Sequence, residues 1–199
     1  MGVSSTDGSE DGGGRIPPLG AEEARVRSDE VGVPHYMTSL NVFRVLLQSP
    51  GVARACNELL SELLLHGALD VRLRELIIMR LGWTTGSVYE WTQHWRVATD
   101  LGVSAEDLLG VRTWERYPGF GATERAVLAA TDETVRDGAV SAATWQDLCD
   151  HVAADPAVLV ELLAVIGCWR MVASILRSAQ VPLEEGAAPW PPDGLAPRG

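Results

Sequence analysis

Residues 70–94 read DVRLRELIIMRLGWTTGSVYEWTQH, and this stretch decides the fold. In its first part, Leu, Ile and Met side chains nearly encircle a helix that Asp70 can cap and that ends near Leu81. A helix that is apolar on almost every face is typical of the centre of a bundle. Ser87 then begins a second helix. The stretch therefore predicts two consecutive helices, joined by a turn over Gly82–Gly86 that folds one against the other.

The same helix signals recur on both sides of this pair. Capping residues and proline mark helix starts, and glycine marks helix ends. No segment alternates apolar and polar residues between turn signals, as a strand would. The sequence thus predicts an all-α domain of about seven or eight helices, of which the others cover Met37–Gln48, Pro50–His66, a short stretch from Ser104, residues 122–136, Ser141–Val152 and Pro156–Gln180.

Composition divides the 199 residues into three parts. Residues 1–30 are rich in Gly, Ser, Asp and Glu and have few large apolar side chains, so we expect a disordered acidic arm. Residues 31–181 hold the predicted helices and fit one domain with a substantial core. Residues 182–199 contain five prolines, which exclude a helix. We expect a Pro-rich tail that Trp190 ties to a neighbouring surface, with another subunit as one candidate.

Charge and residue usage exclude several function classes. With 27 acidic and 16 basic residues, the formal net charge is -11, which would repel phosphate backbones, so no nucleic-acid partner is expected. The sequence contains no Lys, which excludes a side-chain Schiff base to a carbonyl substrate or to pyridoxal phosphate. The spacing of His and Cys matches no zinc motif, and no nucleotide-binding glycine motif follows a strand. We therefore expect no metal and no cofactor.

Several features favour a cytoplasmic location. The three cysteines, Cys56, Cys149 and Cys168, form no C-x-x-C pair and are odd in number, which is typical of reduced thiols. The N-terminus lacks the basic and apolar segments of an export signal. The longest apolar stretch, Leu162–Trp169, is shorter than the roughly 18 residues that span a bilayer. No membrane partner is expected.

Three ionisable residues are spaced so that they converge. Glu90 and His94 lie four residues apart and therefore share one face of the second helix, while Glu75 lies on the helix before it. Two carboxylates and an imidazole in a half-buried place are suited to proton transfer. The alternative is structural, because Ser87 and Glu90 also match the S-x-x-E capping box. Glu75 could likewise form a surface pair with Arg72.

Aromatic and Arg residues near this trio are candidates for substrate contacts. Trp83 and Tyr89 flank the turn, where they either pack in the core or form the wall of a pocket for a flat substrate. A small-molecule carboxylate substrate requires a cation, which in the absence of Lys must be Arg. Arg80 and Arg170 are the first candidates, because each occurs in an otherwise apolar helix. A structural ion pair, such as one with Glu161, is the alternative.

Several stretches spread over most of the predicted domain share one family pattern. They are residues 69–81, Tyr89–Trp91, His94 and Gly102–Ser104, with further similarity at Asn41–Arg44, Arg170–Ala173 and Val181–Leu183. Together they resemble the carboxymuconolactone decarboxylase / alkylhydroperoxidase-D-like family. The resemblance implies an all-helical bundle of the alkylhydroperoxidase-D type and assembly into homo-oligomers, either trimers or hexamers, with a dimer as the alternative. It also implies a site built from a Glu, two positions often held by Cys, and a His.

The family's redox motif has the form E-x11-C-x-x-C-x-x-x-H, and this chain departs from it at both cysteines. Glu75 and His94 take the positions of the motif's Glu and His, whereas Ser87 and Glu90 stand where the cysteines would be. Peroxide reduction needs a thiolate and a resolving thiol, so a peroxidase is disfavoured. None of the three cysteines elsewhere has a partner at motif spacing. The family branch without cysteines includes decarboxylases that act on lactone carboxylic acids without a cofactor.

The resulting prediction is a cofactor-independent lyase that decarboxylates a small carboxylated lactone, β-keto acid or aromatic-pathway product. His94 would be the acid that protonates the carbanion or enolate carbon, Glu90 would orient and polarise His94, and Glu75 would be a second base or relay. Ser87 and the backbone N–H groups at the helix start would bind the developing oxyanion. Two alternatives stay open: an isomerase or cyclase of specialised metabolism that uses the same residues, and a non-catalytic oligomeric protein that binds a small molecule.

Overall fold

The structure is a computed structural model that describes residues 14–198, and it consists of helices joined by short connections. Within this range there is no strand, and the nine α-helices are α1 (Ala21–Val31), α2 (Asn41–Leu46), α3 (Pro50–Ser61), α4 (Val71–Thr85), α5 (Val88–Asp100), α6 (Ala105–Gly110), α7 (Ala122–Asp137), α8 (Ala142–His151) and α9 (Pro156–Ala179). Shorter helical segments are the 3₁₀ turns His35–Ser39 and Val111–Thr113 and the π-helical turn Glu62–His66. The predicted all-α fold class is confirmed.

Helix α4 is the centre of the bundle, as the sequence predicts. Every residue from Leu73 to Gly82 is buried, and the helix packs against α5, α7 and α9. The helix begins after Asp70, whose carboxylate accepts a hydrogen bond from the Leu73 N–H at 3.0 Å, as expected of an N-cap. Three charged side chains of α4 are buried together with its Leu, Ile and Met residues. Because buried charges require partners, these three must be bonded within the core or serve a function.

The connection between α4 and α5 differs from the predicted turn over Gly82–Gly86. Helix α4 continues for about one more turn, and Gly86 ends it with a φ of 68°, a left-handed conformation that favours glycine. Only Gly86 and Ser87 join the two helices. Gly82 lies inside α4 where α5 approaches closely, because a Cβ atom there would lie 3.1 Å from the backbone nitrogen of Trp91. The two helices that carry the predicted site are therefore in direct contact.

The N-terminal segment is more ordered than its composition predicts. Residues 1–13 of the predicted acidic arm lie outside the described residues, but α1 occupies much of the rest, so the prediction of disorder is wrong there. Leu19, Ala24 and Val33 are buried in a cluster with apolar residues of α2 and α3, including Phe43. A few apolar side chains are enough to order this segment because the other helices supply the facing apolar surface. The helical domain thus begins before residue 31.

The C-terminal segment 182–198 forms no helix, as predicted, and it folds back onto its own chain. The indole of Trp190 lies against those of Trp83 and Trp91, with ring centroids 6.1 and 6.0 Å away. The Trp91 Nε1–H also donates a hydrogen bond to the Pro191 carbonyl at 2.7 Å. The surface to which Trp190 attaches in this structure therefore belongs to the same chain.

Helix α9 is the one helix within residues 14–198 that is long and apolar enough to cross a bilayer, with a mean hydropathy of 2.0 over its most apolar window. Length and composition alone do not identify a membrane span, because core helices of soluble proteins can have the same length and apolar composition. In this fold α9 packs against α4 and α7, and buried residues occur along its length from Leu159 to Ala179. The helix therefore contributes one wall of the helical core.

Candidate active site

The carboxylate of Glu75 is fully buried on α4 and is bonded at both oxygens. Oε2 accepts a hydrogen bond from His94 Nδ1 at 2.8 Å, and Oε1 accepts one from Arg74 Nε at 3.2 Å. Burial alone would raise the pKa of Glu75, but the interactions with His94 and Arg74 outweigh it and lower the pKa below its ordinary value. The alternative of a surface pair between Glu75 and Arg72 is wrong, because Arg72 pairs with Asp107 instead.

The imidazole of His94 is fixed at both ring nitrogens. Trp169 Nε1 lies 3.0 Å from His94 Nε2, and because an indole N–H can only donate, Nε2 must be the acceptor. The proton of the neutral ring is then on Nδ1, from which it is donated to Glu75. The indole of Trp169 meets the imidazole edge to face, with centroids 5.5 Å apart. His94 is thus held as a single tautomer in a single orientation.

The carboxyl group of Glu90 has the opposite surroundings to that of Glu75. Its exposed fraction is 3%, and neither oxygen has a hydrogen-bond partner within residues 14–198. Burial raises the pKa of Glu90 well above its ordinary value. The neighbouring Ser87 hydroxyl opposes this shift by a smaller amount, although no well-aligned hydrogen bond joins the two side chains. The raised pKa favours the neutral carboxylic acid, the form that can donate a hydrogen bond.

Two predictions about Glu90 require correction. It is Glu75, across the contact between α4 and α5, that orients His94, and not Glu90 one turn earlier on the same helix. The predicted capping box is also absent, because the Ser87 side chain forms no cap hydrogen bond. Glu90 and His94 share one helix face, but the Glu90 side chain lies along the wall of a cavity. The imidazole of His94 bonds instead to the Glu75 carboxylate of α4.

A cavity of about 370 Å³ lies beside Glu90 and His94. Its wall is mostly apolar and is formed by the first 3₁₀ turn, α2, α3, the π-helical turn, α5 and α9. Trp91 and Trp95 are not part of this wall, so they do not fill the space beside the ionisable trio. An apolar cavity with a few placed polar groups is the usual form of a small-molecule site. The polar residues of the wall are Tyr36, Asn57, Ser61, Tyr89, Glu90, Gln93, His94 and Arg96.

The structure brings some of the predicted substrate-binding residues to this cavity and leaves others outside it. Tyr89 lines the cavity. The pKa of its phenol is raised, mainly by burial and to a smaller extent by its hydrogen bond to Glu184. Ser87 does not line it but lies in a second concavity at the start of α5. Trp83 lies under the C-terminal segment, where the guanidinium of Arg112 stacks on its ring at 4.6 Å. Of these aromatic candidates, Trp83 therefore takes the core-packing role.

The two Arg residues predicted to hold a substrate carboxylate lie away from the cavity. Arg80 forms two hydrogen bonds with Asp132, at 2.6 and 2.7 Å, and also donates to the Val111 carbonyl. Arg170 is exposed and donates to the Thr134 carbonyl at 2.7 Å. The alternative of a structural ion pair thus describes Arg80, although Asp132 rather than Glu161 is its acidic partner. Arg170 forms no ion pair within residues 14–198 and bonds only a backbone carbonyl. An Arg in an otherwise apolar helix gives the same sequence pattern whether it binds a substrate or forms structural bonds.

Two residues of the site were not identified from the sequence. Arg96 borders the cavity, is exposed and forms no ion pair with any residue in 14–198. A signal for it exists, because Tyr89, Gln93 and Arg96 repeat at helical spacings of four and three and therefore share one face. Trp169, which bonds His94, gives no such signal, since its position on α9 becomes adjacent to α5 only in the fold.

Comparison with known families gives one match. Residues 50–133 match the sequence model described as the carboxymuconolactone decarboxylase family. This segment contains α4 and α5 and therefore Glu75, Glu90 and His94. The resemblance stated from the sequence is confirmed over these residues. A comparison with curated proteins gives no match.

Several solved structures have a similar fold, and in three of them the alignment with this chain covers most of the matched protein. An alkylhydroperoxidase AhpD core protein from Ralstonia eutropha JMP134, described as peroxidase-related, has a TM-score of 0.70 at 17% identity. The alignment covers 86% of this chain and 93% of the Ralstonia protein. A variant of the debrominase Bmp8 in complex with 2,3,4-tribromopyrrole has a TM-score of 0.69 at 16% identity, with coverages of 85% and 91%. An AhpD-like protein of unknown function from Agrobacterium tumefaciens has a TM-score of 0.64 at 20% identity, with coverages of 69% and 94%. These similarities show the fold, which is the AhpD-like bundle predicted from the sequence.

Proposed function

We propose, from the carboxymuconolactone decarboxylase pattern of residues 50–133 and the chemistry of the cavity, that the protein is a cofactor-independent acid–base enzyme. Its reaction is the decarboxylation of a small carboxylated lactone, β-keto acid or aromatic-pathway product. One observation carries this proposal: the Glu90 carboxyl group is buried in the wall of a mostly apolar cavity and has no hydrogen-bond partner within residues 14–198. Because burial raises its pKa, this carboxyl group favours the neutral form, which is suited to donate a proton to a bound substrate.

The apolar wall favours the loss of carbon dioxide. A substrate carboxylate loses its hydration in such a cavity, and cleavage of its C–C bond replaces this localised charge with a delocalised one. The electron pair of the broken bond moves to the neighbouring carbonyl and forms an enolate, while carbon dioxide leaves. The Glu90 O–H donates to the developing enolate oxygen, which is the use of a carboxylic acid held neutral by its surroundings. Glu90 then transfers its proton to the enolate carbon, which forms the new C–H bond, and the resulting carboxylate takes up a replacement proton from solvent.

His94 and Glu75 support this chemistry by their fixed geometry. The Nε2 lone pair of His94 already accepts the Trp169 N–H, so Nε2 can take up a proton and then donate it only after that hydrogen bond breaks. The carboxylate of Glu75 sets the tautomer and orientation of the ring. Glu90 therefore takes the role of principal acid that was predicted for His94, and Glu75 takes the role of orienting group.

Arg96 is the cation best placed to attract an anionic substrate. It borders the cavity and has no acidic partner in the described part of the chain. Because the guanidinium is exposed, it acts at the rim and leaves the reacting carboxylate in apolar surroundings. A carboxylate held tightly by a cation would be stabilised before the reaction, which would slow the loss of carbon dioxide.

The test is carbon dioxide release from a panel of small carboxylated lactones and β-keto acids, measured with the full chain and with Glu90→Gln. Glutamine keeps the shape and a hydrogen-bond donor but cannot transfer a proton, so turnover of an accepted substrate should fall by about 10²–10⁴-fold. Glu62→Gln, at an exposed residue of the π-helical turn, is the matched control and should leave turnover unchanged. Conversion without carbon dioxide would indicate the isomerase or cyclase instead. Equal turnover in both variants would contradict the role of Glu90.

A further inference from the structure

One side of helix α9 faces away from the rest of the described chain. The most apolar window of this helix has a mean hydropathy of 2.0, yet only 39% of the window is buried. Val160 and Met171, on the outward side, are exposed at 66% and 41%. An apolar surface that extends along a 24-residue helix is unfavourable in water and indicates contact with another molecule.

The outward residues form a continuous row, here called the α9 stripe. The stripe consists of Ala157, Val160, Ala164, Gly167, Met171 and Ser174. All of them are exposed except the half-buried Ala164. Successive members are three or four residues apart, which is the spacing at which one helix packs along another. None is charged, although 22% of the residues in the chain are. The stripe therefore has the pattern of a surface that packs against another helix.

The stripe is complementary to itself when two copies of α9 run antiparallel. A two-fold axis between residues 165 and 166 brings Val160 of one copy level with Met171 of the other, and Ala164 level with Gly167. At Gly167 an added Cβ atom would meet no other atom within 4 Å, so a second helix can approach the backbone closely there. Small residues thus occupy the centre of the pairing, and the large apolar side chains pack on either side of it.

The charges at the two ends of α9 favour the antiparallel direction. Asp155 is the N-cap, and its carboxylate accepts a hydrogen bond from the Ala157 N–H at 2.9 Å. The exposed Arg177 lies in the last turn. Antiparallel pairing places the last turn of one copy beside the first turn of the other, so opposite charges and opposite helix dipoles meet. Parallel pairing would instead place Arg177 beside the Arg177 of the second copy.

Two other occupants of the stripe fit less well. Residues 1–13 have Met1 and Val3 as their only large apolar residues, so they supply little that could pack on the stripe. An anionic lipid surface would repel a chain whose net charge is -11. A second copy of the chain has both the matching apolar row and the matching charges.

We propose that the α9 stripe is the contact between two copies of this chain, which pair antiparallel through α9. The contact lies on the outer side of α9, whereas the cavity lies between this helix and α5. The proposal is therefore independent of the reaction proposed above.

The experiment is analytical ultracentrifugation of the full chain over a range of concentrations, which should give the mass of a dimer. Val160→Glu and Met171→Glu each place two unpaired charges, one from each copy, in the apolar contact, so each should raise the dissociation constant at least about a hundredfold. Trp145→Glu is the matched control, because Trp145 has the same exposed fraction as Met171, 41%, but lies on α8. It should leave the dissociation constant unchanged. Thermal unfolding checks that each variant is folded.

Cross-linking tests the direction of the pairing. With diamide as the oxidant, Val160→Cys chains mixed with Met171→Cys chains should form a disulfide between the two variants. Val160→Cys alone should form none, because its two thiols would lie about 16 Å apart along the paired helices. The parent chain, which keeps the three native cysteines, is the control.

Several results would overturn the proposal. A monomer at every concentration would do so, and so would an assembly of any size whose mass neither Val160→Glu nor Met171→Glu lowers. A disulfide between two Val160→Cys chains would contradict the antiparallel direction. Binding of a monomer to phosphatidylcholine vesicles, lost in Val160→Glu, would show that a lipid surface covers the stripe instead of a second copy.

Discussion

The surroundings of Glu75 and Glu90 determine the protonation of two equally buried carboxyl groups. Their exposed fractions are 0% and 3%. His94 and Arg74 contact Glu75 and lower its pKa, whereas the Glu90 carboxyl has no such partner within residues 14–198, and burial therefore raises its pKa. Two carboxyl groups whose pKa values are shifted in opposite directions can serve as the ionised group and the proton donor of a proton-transfer site. Glu75 stays ionised and orients the imidazole, while Glu90 keeps a proton that a ligand can receive.

The raised pKa of Glu90 predicts a particular dependence of stability on pH. Above the ordinary pKa of 4.5, the unfolded chain has released the proton that the folded chain still holds, so the free energy of unfolding falls as pH rises. The fall amounts to at most about 1.4 kcal/mol per pH unit and ends when the pH passes the raised pKa. Glu90→Gln has no proton to release and should remove this contribution. Urea unfolding of both proteins between pH 5 and pH 8 measures the difference.

The control for this prediction is Glu62→Gln, which changes an exposed carboxylate on the π-helical turn. Its stability should follow the parent protein at every pH. If Glu90→Gln also ran parallel to the parent from pH 5 to pH 8, the Glu90 carboxyl would be ionised in the folded protein. The proposed proton donor would then not exist.

At the scale of single residues, the sequence predicts which groups converge but not which ones bond. The spacing of Glu75, Glu90 and His94 places all three at the α4–α5 contact, and the structure agrees. The sequence could not show that Glu75 would accept a hydrogen bond from His94 Nδ1, because this bond depends on how closely α4 approaches α5. Nor could it distinguish the roles of Arg80 and Arg96. Arg80 pairs with an acidic residue on a distant helix, whereas Arg96 has no acidic partner among residues 14–198.

At the scale of elements, the junction of α4 and α5 sets the geometry of the site. Gly86 turns the chain in the left-handed region, and Ser87 follows at once as the residue before α5. Because the connection is so short, the register of α5 against α4 follows directly from the backbone angles of this pair. The contact of His94 with Glu75 depends on that register.

A substitution at Gly86 should therefore destabilise the protein more than its exposure indicates. Gly86→Ala places a Cβ atom on a residue with a φ of 68°, which costs about 1–2 kcal/mol. The matched control is Gly167→Ala in the interior of α9, where a Cβ atom meets nothing within 4 Å and the change should stabilise the helix by about 0.5–1 kcal/mol. Chemical denaturation of both variants gives the two values. Effects of the same sign would contradict the role assigned to the junction.

The sequence predicts helices well where they have clear ends and poorly where distant contacts decide. Helix α7 was expected over 122–136 and spans Ala122–Asp137, since Gly138 ends it locally. The predicted helix Met37–Gln48 is instead a 3₁₀ turn followed by α2, because Leu40 is extended between them. In the π-helical turn, the carbonyls of Leu63 and Leu64 accept hydrogen bonds from Arg74 of α4, a contact that local patterns cannot reveal.

At the scale of the whole molecule, the C-terminal segment connects parts of the chain that are far apart in sequence. The carboxylate of Glu184 accepts hydrogen bonds from the Asn41 N–H at 2.9 Å, from the Tyr89 hydroxyl and from the Gln93 side-chain amide. Tyr89 and Gln93 also line the first cavity. The proline content of the segment predicts its lack of helix, but only the fold shows that it supports the wall of the candidate active site.

The last prediction concerns this support. Glu184→Ala removes the acceptor of three donors, so the free energy of unfolding should fall by about 1.5–3 kcal/mol, the range for hydrogen bonds to charged groups. Tyr89 and Gln93 would also lose their fixed positions, so any substrate found in the panel should show a raised KM with a smaller change in kcat. Urea unfolding and steady-state kinetics measure the two effects.

The neighbouring Glu185 provides the control, because it is exposed and carries the same charge one residue further along the segment. Glu185→Ala should change stability by less than about 0.5 kcal/mol, as is usual for surface substitutions, and should leave KM unaltered. If the two variants behaved alike, the contacts of Glu184 would contribute nothing beyond charge. A loss of stability in Glu184→Ala with KM unchanged would mean that the C-terminal segment stabilises the fold without shaping the cavity.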